Sequence, residues 1–287
     1  MNIFLCIPFF IWVIGSLIQL RKIKKRIDKA REAGDDAYEQ EYICKAEGVW
    51  GDKTFARFKG STLTCEGGEN LPEGPVLFVS NHQGYGDIIV YLKAASYFNK
   101  QVGFVARRNL RKIPFFGVWI DEVRSLLIDR GDARSTIKVF KIGEDLLRRG
   151  FNLIIFPEGT RSRSNEMGPF KKGSMQLATR AEVPIVPLTL WNSWQMFERT
   201  GRPATSHVRL CVHPAIPTRG MPRKEQAELS DRVESIIRAK LDEWKAAEAS
   251  SEAAAQTAHA AAAAAAADSM AEAMAGSAAE AAPETGQ

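Results

Sequence analysis

Residues 76–92 read VLFVSNHQGYGDIIVYL, a stretch that joins a short apolar run to a helical pattern through a polar turn. The apolar run has the length of a buried strand, and the residues after Asp87 have the apolar spacing of a helix. The turn places His82 five positions before Asp87, with Gly84 and Gly86 between them. A strand that leads directly into a helix is the repeating unit of an α/β domain.

The same alternation of short apolar runs and longer amphipathic stretches continues along the chain. Five runs are expected to form buried strands, at residues 75–80, 101–106, 125–129, 152–156 and 184–190. Helices are expected at residues 88–98, 133–149, 174–180 and 222–245. Residues 54–67 are expected to add an antiparallel edge pair, and residues 207–213 a last strand. The pattern predicts an α/β fold with a mainly parallel sheet flanked by helices.

Polar side chains follow four of the predicted strands, at the point where each strand ends. These groups are Asn81 with His82, Arg107 with Arg108, Asp129 with Arg130, and the PEGTR segment at residues 157–161. Ligands of open α/β sheets bind beyond the carboxyl ends of the strands. We therefore expect these groups to converge on one cleft.

His82 and Asp87 have the residue types of a general base and its supporting carboxylate. A carboxylate on one ring nitrogen fixes the tautomer of an imidazole and stabilises the imidazolium formed on proton transfer. Taken alone, the spacing favours a hydrogen-bonded structural histidine over a base. The sequence has no GxSxG nucleophile elbow and no cysteine in an obvious catalytic setting. If His82 is a base, a hydroxyl of the substrate is therefore expected to attack directly.

Residues 156–163, FPEGTRSR, form a second candidate site. Arg161 has a planar fork suited to phosphate oxygens, and backbone N–H groups around Gly159 and Thr160 are expected to add donors. Glu158 is expected either to position Arg161 or to accept a hydrogen bond from a substrate hydroxyl. A helix cap with a surface ion pair is the alternative interpretation of the same segment.

The charge of the chain is unevenly distributed. All 39 Lys and Arg residues lie before residue 246, whereas six of the 34 Asp and Glu residues lie after it. The part before residue 246 is therefore distinctly basic, which suits an anionic partner such as a phospholipid head group, a phosphorylated substrate or nucleic acid. The four cysteines include no CxxC pair and no histidines at zinc spacing, so we expect reduced thiols and no metal site.

The two ends of the chain differ in composition from its middle. Residues 1–20 contain no charged side chain, and as a helix they would reach ~30 Å, the thickness of a bilayer's hydrocarbon core. Residues 21–50, a basic juxtamembrane helical segment, are expected on the cytoplasmic side by the positive-inside rule. A helix lying in one leaflet and an apolar helix buried in the protein are the alternatives for the N-terminus. The Ala-rich tail, residues 246–287, is expected to be transient helix or disorder, which leaves residues 51–245 as the folded domain.

Four segments resemble, in order, the four blocks of the glycerolipid acyltransferase family. They are NHQGYGD, ARRNLRKIPFFG, FPEGTR and VPIVPLTL. The likeness is strongest to the bacterial 1-acyl-glycerol-3-phosphate acyltransferases, and the apolar N-terminus with its basic flank is also similar to that family. Gly84 stands where many members have serine, and Arg107 stands where many have lysine.

The resemblance implies a reaction and a role for each candidate residue. His82, oriented by Asp87, would take the proton from the free hydroxyl of 1-acyl-glycerol-3-phosphate while that oxygen attacks the thioester of acyl-CoA or acyl carrier protein. The product would be phosphatidic acid. The residues implied to bind the acceptor are Arg107, Glu158, Gly159, Thr160 and Arg161.

The implied partners are a lysophospholipid acceptor, an acyl-CoA or acyl carrier protein donor, and a membrane, with no nucleic acid. No cofactor or metal is expected beyond the thioester co-substrate, and the catalytic domain is expected on the cytoplasmic face of the membrane. One alternative keeps the chemistry and changes the acceptor to another lysolipid, such as a lyso-ornithine lipid. A remote alternative is a non-catalytic, membrane-anchored module that binds anionic lipid or nucleic acid.

Overall fold

The computed structural model describes residues 3–113, 116–129 and 132–280. Four expectations from the sequence fall partly outside these residues: the first two residues of the apolar N-terminus, Arg130 at a strand end, Pro114 and Phe115 in ARRNLRKIPFFG, and the last seven residues of the tail. Three helices precede the sheet, namely α1 Ile3–Leu17, α2 Arg21–Ala33 and α3 Asp36–Phe55.

Within the described residues, seven strands and five further helices follow these three. The strands are β1 Thr62–Glu66, β2 Leu77–Ser80, β3 Gly103–Arg107, β4 Leu126–Ile128, β5 Leu153–Ile155, β6 Ile185–Trp191 and β7 His207–Val212. The helices are α4 Gly86–Phe98, α5 Phe116–Glu122, α6 Ala133–Arg148, α7 Gln176–Ala181 and α8 Arg223–Glu280. Each of the five strands expected from the sequence is present, with boundaries shifted by at most two residues.

The strands form one sheet in the order β1-β7-β6-β2-β5-β3-β4. The five strands from β6 to β4 in that order are mutually parallel, while β7 is antiparallel to β6 and parallel to β1. Strands β2 and β6 are buried along their whole length, as expected for strands covered on both faces. The predicted α/β fold with a mainly parallel sheet is confirmed. The carboxyl ends of β2, β5 and β6 therefore lie at one edge of the sheet.

The predicted antiparallel edge pair within residues 54–67 is wrong. Phe55 ends helix α3, and only β1 in this segment is a strand, paired in parallel with the distant β7. Phe55 and Phe58 are both buried, at 6% and 2% exposure. Apolar side chains three positions apart continue the buried face of a helix, which a strand's alternation cannot do.

Helix α1 contacts the rest of its unit on one side and exposes apolar side chains on the other. The ring of Phe9 packs edge to face on Phe197, and Trp50 Nε1 donates to Ser16 Oγ at 2.9 Å. On the other side, Ile11 is 65% exposed. In the described part of the chain, no helix is both long enough and apolar enough to cross a bilayer. The N-terminal membrane-anchoring helix stays a prediction.

Close packing on α3 holds helix α4, whose first turn carries Asp87. A Cβ atom on Gly51 of α3 would lie 2.4 Å from the backbone nitrogen of Lys93 on α4. The absent side chain thus lets the two backbones approach closely. Lys93 Nζ also pairs with Asp52 Oδ1 at 2.6 Å. These contacts fix the axis of α4, and with it the start of the helix at the edge of the sheet.

The chain divides into two compact units, Met1–Leu241 and Asp242–Gln287. The first unit contains the whole sheet. In the second unit the described residues are helical as far as Glu280.

Candidate active site

The side chains of His82 and Asp87 meet where strand β2 turns into helix α4. His82 Nδ1 lies 2.6 Å from Asp87 Oδ2. The Asp87 side chain has no exposed surface, whereas 20% of the His82 side chain is exposed. With a carboxylate at Nδ1, the proton resides on that nitrogen and the lone pair of Nε2 is left to accept another. No hydrogen-bond partner of Nε2 occurs among the described residues, which leaves this nitrogen available as an acceptor.

Four donors surround the carboxylate of Asp87. Besides the ring of His82, Asp87 accepts from Gln83 N at 2.7 Å, from Gly84 N at 3.0 Å and from Ser193 Oγ at 2.6 Å. These hydrogen bonds fix the orientation of the carboxylate. The turn predicted between His82 and Asp87 is therefore built around the carboxylate itself.

Glu158 holds the backbone of His82. Its Oε1 accepts from His82 N at 2.7 Å, and its Oε2 accepts from Gly168 N at 2.8 Å. Glu158 is 6% exposed, and burial raises the pKa of its carboxyl. Because both oxygens are occupied by backbone N–H groups, the expected pairing of Glu158 with Arg161 does not form.

Backbone and ring contacts join the His82 turn to the FPEGTRSR segment. Ser162 N donates to His82 O at 2.8 Å, and Arg163 N donates to Gln83 O at 3.0 Å. The imidazole of His82 stacks on Phe156, with ring centroids 4.2 Å apart and planes inclined by 20°. The structure thus brings the ends of β2 and β5 together, as the sequence predicts.

Arg161 lies beside this pair and is held by two other side chains. Its Nη1 donates to Glu198 Oε1 at 3.1 Å, and its guanidinium carbon lies 3.8 Å from the centre of the Tyr85 ring. A quarter of the Arg161 side chain is exposed. The guanidinium is therefore fixed in orientation and still open to a ligand.

The backbone N–H of Gly159, one of the two expected donors, is engaged within its own loop. Gly159 has a positive φ of 66° and its N–H donates to Phe156 O at 3.0 Å, which closes a turn. Thr160 is exposed. The role of Gly159 that the geometry supports is to form the turn that directs Arg161, because a left-handed φ favours glycine.

The strand ends of β3 and β4 are not joined to the His82 turn. Arg108 Nε pairs with Asp129 Oδ2 at 2.6 Å, and both side chains are about half exposed. Arg107 is exposed at the end of β3, and strand β5 lies between β3 and β2. Arg107 has no hydrogen bond or ion pair with the other site residues that the structure describes. The polar residues that follow β2 and β5 therefore meet as expected. Residues that follow β6 lie in the same cluster, which was not expected.

Several residues that shape the site were not foreseen from the sequence. Ser193 and Glu198 follow strand β6, and Gln83 Oε1 accepts from Ser193 N at 3.0 Å. For Ser193 the available signal is the one that identifies PEGTR, namely a polar residue close after a buried strand. Glu198 lies seven residues after β6 and has no such signal.

An apolar cavity of ≈ 90 Å³ opens beside helix α4. It is lined by α1, α3, β3 and α5, and Ile88 of α4, the neighbour of Asp87, contributes to its wall. Glu47 is the carboxylate in this wall and accepts from Val102 N at 3.0 Å. Burial raises the pKa of Glu47 well above its usual range. Pro184 and Pro187, in the predicted strand at residues 184–190, do not line this cavity.

No cluster of three or more His, Cys, Asp and Glu side chains in the described part of the chain has the placement of a metal site.

The sequence profile of the Acyltransferase family matches residues 62–191, which include both the His82 turn and the FPEGTRSR segment. The 1-acyl-sn-glycerol-3-phosphate acyltransferase of Pseudomonas aeruginosa is 31% identical over 193 residues, which are 66% of this chain and 71% of that protein. The chain belongs to the 1-acyl-sn-glycerol-3-phosphate acyltransferase family. It is accordingly an acyltransferase, and the resemblance of the four blocks is confirmed.

Two further relatives agree with this assignment. The chloroplastic 1-acyl-sn-glycerol-3-phosphate acyltransferase BAT2 of Brassica napus is 29% identical over 185 residues, which are 63% of this chain and 52% of that protein. The chain thus spans about half the length of the plant relative. The crystal structure of the 1-acyl-sn-glycerophosphate acyltransferase PlsC from Thermotoga maritima superposes with a TM-score of 0.70 at 25% identity, covering 85% of this chain and 96% of that one.

Proposed function

We propose that this protein transfers an acyl chain from a thioester to the free hydroxyl of 1-acyl-glycerol-3-phosphate, with His82 as the general base. The observation that carries the proposal is the His82 and Asp87 pair, whose Nδ1 and Oδ2 atoms lie 2.6 Å apart. The pair lies at the carboxyl edge of the sheet, where α/β enzymes bind their ligands. The product is phosphatidic acid.

The mechanism uses His82 twice. Nε2 accepts the proton of the acceptor hydroxyl as its oxygen forms a bond to the thioester carbonyl carbon, and the carbonyl oxygen takes the negative charge. Collapse of this tetrahedral intermediate breaks the carbon–sulfur bond, and the imidazolium returns its proton to the leaving thiolate. Asp87 stabilises the imidazolium between the two steps, and Glu158 keeps the backbone of His82 in place.

The acceptor phosphate is assigned to Arg161, with Arg107, Gly159 and Thr160 as further proposed contacts. A guanidinium presents two parallel N–H groups to phosphate oxygens, which makes it selective for this geometry. Arg161 lies on the segment whose backbone bonds directly to His82, so phosphate binding at Arg161 places the glycerol beside the base.

The donor is proposed to be acyl-CoA or acyl carrier protein, with no other cofactor. The apolar cavity beside α4 is proposed to hold the acyl chain, because burial of methylene groups from water is favourable by about 0.8 kcal/mol each. Ile88 connects the wall of this cavity to the catalytic turn, since it follows Asp87 in the chain.

The protein is proposed to act at the cytoplasmic face of a membrane. The exposed side of α1, which includes Ile7 and Ile11, supports a contact with lipid. The cations of α2 support attraction to anionic head groups.

A crossed assay tests the reaction. Purified full-length protein is supplied with acyl-CoA or acyl carrier protein thioesters and a panel of lysolipids that includes lysophosphatidic acid and lyso-ornithine lipid. We expect turnover with lysophosphatidic acid and its loss in His82→Ala, while His207→Ala, a change at an exposed histidine bonded to Thr62, stays active. Turnover with another lysolipid alone would reassign the acceptor. Undiminished turnover in His82→Ala would refute the base.

A further inference from the structure

Glu198 is a buried carboxylate that bridges the His82 turn and the FPEGTRSR segment. It lies seven residues after the last residue of β6, and its side chain is 8% exposed. Oε1 accepts from Tyr85 N at 2.9 Å and from Arg161 Nη1 at 3.1 Å. One oxygen thus connects the turn that carries the base to the guanidinium assigned to the acceptor phosphate.

Arg161 is restrained from two directions by this arrangement. The Tyr85 ring lies 3.8 Å from the guanidinium carbon, a cation–π contact, and Glu198 supplies the hydrogen bond. An arginine side chain has several rotatable bonds, and ordering them at the moment of binding costs affinity. Glu198 and Tyr85 impose that order before the acceptor arrives.

Gly84 provides the space that Glu198 occupies. A Cβ atom on Gly84 would lie 2.3 Å from Glu198 Oε2 and 2.6 Å from its Cδ. Gly84 is not among the glycines with positive φ, so its backbone conformation is open to other residues. A side chain at position 84 would therefore displace the Glu198 carboxylate from its present place.

We propose that Glu198 is a positioning residue for acceptor binding, which orients Arg161 toward the phosphate, and that Gly84 is its necessary complement. The inference rests on the proposed role of Arg161 in binding the acceptor. Glu198 Oε2 is buried and has no hydrogen-bond partner in the described part of the chain. A buried oxygen without a partner costs stability, so stability alone does not explain this carboxylate.

Steady-state kinetics on full-length variants test the proposal. Glu198→Ala removes the oxygen that accepts from Arg161 and is expected to raise the KM for lysophosphatidic acid about tenfold, as for a lost hydrogen bond to a charged group. The donor KM and kcat are expected to stay within about twofold, since the hydrogen bonds that Asp87 and Glu158 make to His82 are retained. Glu198→Gln keeps an accepting oxygen and is expected to restore most of the affinity. Glu228→Ala, at an exposed acid on α8, is the control.

Gly84→Ser is expected to raise the acceptor KM in the same way, because its Cβ displaces the carboxylate. The double variant Gly84→Ser with Glu198→Ala should bind the acceptor no worse than either single variant, since each removes the same interaction. Additive losses, or a fall in kcat at unchanged acceptor KM, would refute the positioning role. An Arg161→Ala variant with normal acceptor KM would refute its premise. Failure of the proposed function can be told apart from failure of the positioning role, because wild-type protein would then not turn over lysophosphatidic acid.

Discussion

The backbone N–H of His82 donates to Oε1 of Glu158 at 2.7 Å, so the carboxylate of the PEGTR segment supports the base instead of pairing with its neighbour Arg161. Asp87 fixes the imidazole ring, and Glu158 fixes the peptide that carries it. Gly168 N occupies the second oxygen of Glu158 at 2.8 Å, which ties the following loop to the same point. Placement of the base therefore depends on two carboxylates with separate tasks.

Glu158→Gln is expected to lower kcat by roughly 5- to 160-fold, the range set by about 1–3 kcal/mol for a buried donor left without an acceptor. The amide supplies one oxygen and one NH₂ group, so one of the two backbone N–H groups would face another donor. The acceptor KM should change little, because Glu158 does not contact Arg161. Glu225→Gln on α8 is the matched control, and equal kinetics in the two variants would contradict the assigned role.

Asp87→Asn is expected to lower kcat by roughly 10²- to 10⁴-fold, the range typical for loss of effective general base catalysis. An amide keeps the size of the side chain but removes the charge that stabilises the imidazolium. The measurement is single-turnover acyl transfer at saturating acceptor, with Asp231→Asn as a control at an exposed position. His82→Ala combined with Asp87→Asn should be no slower than His82→Ala alone, and a further loss would show that Asp87 acts independently of the histidine.

Glu47 is expected to make the fold less stable as pH rises. Burial raises the pKa of Glu47 above its ordinary value of 4.5, so the native state binds the proton more tightly than the unfolded chain. The preferential protonation of Glu47 in the native state therefore adds to the free energy of unfolding. This stabilisation is fully present below about pH 4.5 and is lost as pH rises through the folded pKa. The neighbouring Cys44 stays neutral in this window, because burial raises the pKa of its thiol to about 12.

Urea unfolding of wild-type protein and Glu47→Gln across this pH range measures the effect. Glutamine keeps an oxygen for Val102 N and does not titrate. The difference in the free energy of unfolding between the two proteins should therefore grow in favour of Glu47→Gln as pH rises. A difference that stays constant with pH would contradict the raised pKa.

Features that depend on residues close together in the chain can be predicted from this sequence. The five buried strands and the pairing of His82 with Asp87 follow from periodicity and from a spacing of five residues. Ser193 and Glu198 could not be placed, because their partners lie about 110 residues away in the chain and only the order of strands in the sheet brings them close. The pairing of β1 with β7 was missed for the same reason.

Ala106→Leu is expected to shift the donor preference toward shorter acyl chains. Ala106 lines the apolar cavity, and three added carbon atoms fill volume that the proposed acyl chain would occupy. The measurement is kcat/KM for a series of saturated acyl-CoA donors, with Ala215→Leu outside the cavity as the control. An unchanged order of preference in Ala106→Leu, at unchanged thermal stability, would show that the acyl chain binds elsewhere.

Ile11→Glu is expected to weaken binding to anionic vesicles by at least about tenfold, because burying an isoleucine side chain stabilises by about 1.5–3 kcal/mol and a carboxylate reverses the preference. Ile11 is 65% exposed on α1 and is not needed to pack that helix on the domain. Ile142→Glu on α6 is the matched control, since Ile142 is 57% exposed but lies on a helix to which no lipid contact is assigned. Co-sedimentation with vesicles of phosphatidylglycerol and phosphatidylcholine measures the bound fraction. If both variants bind vesicles as wild type does, the exposed side of α1 is not the lipid contact. Equal losses in both would show that exposed apolar side chains promote vesicle binding regardless of their position.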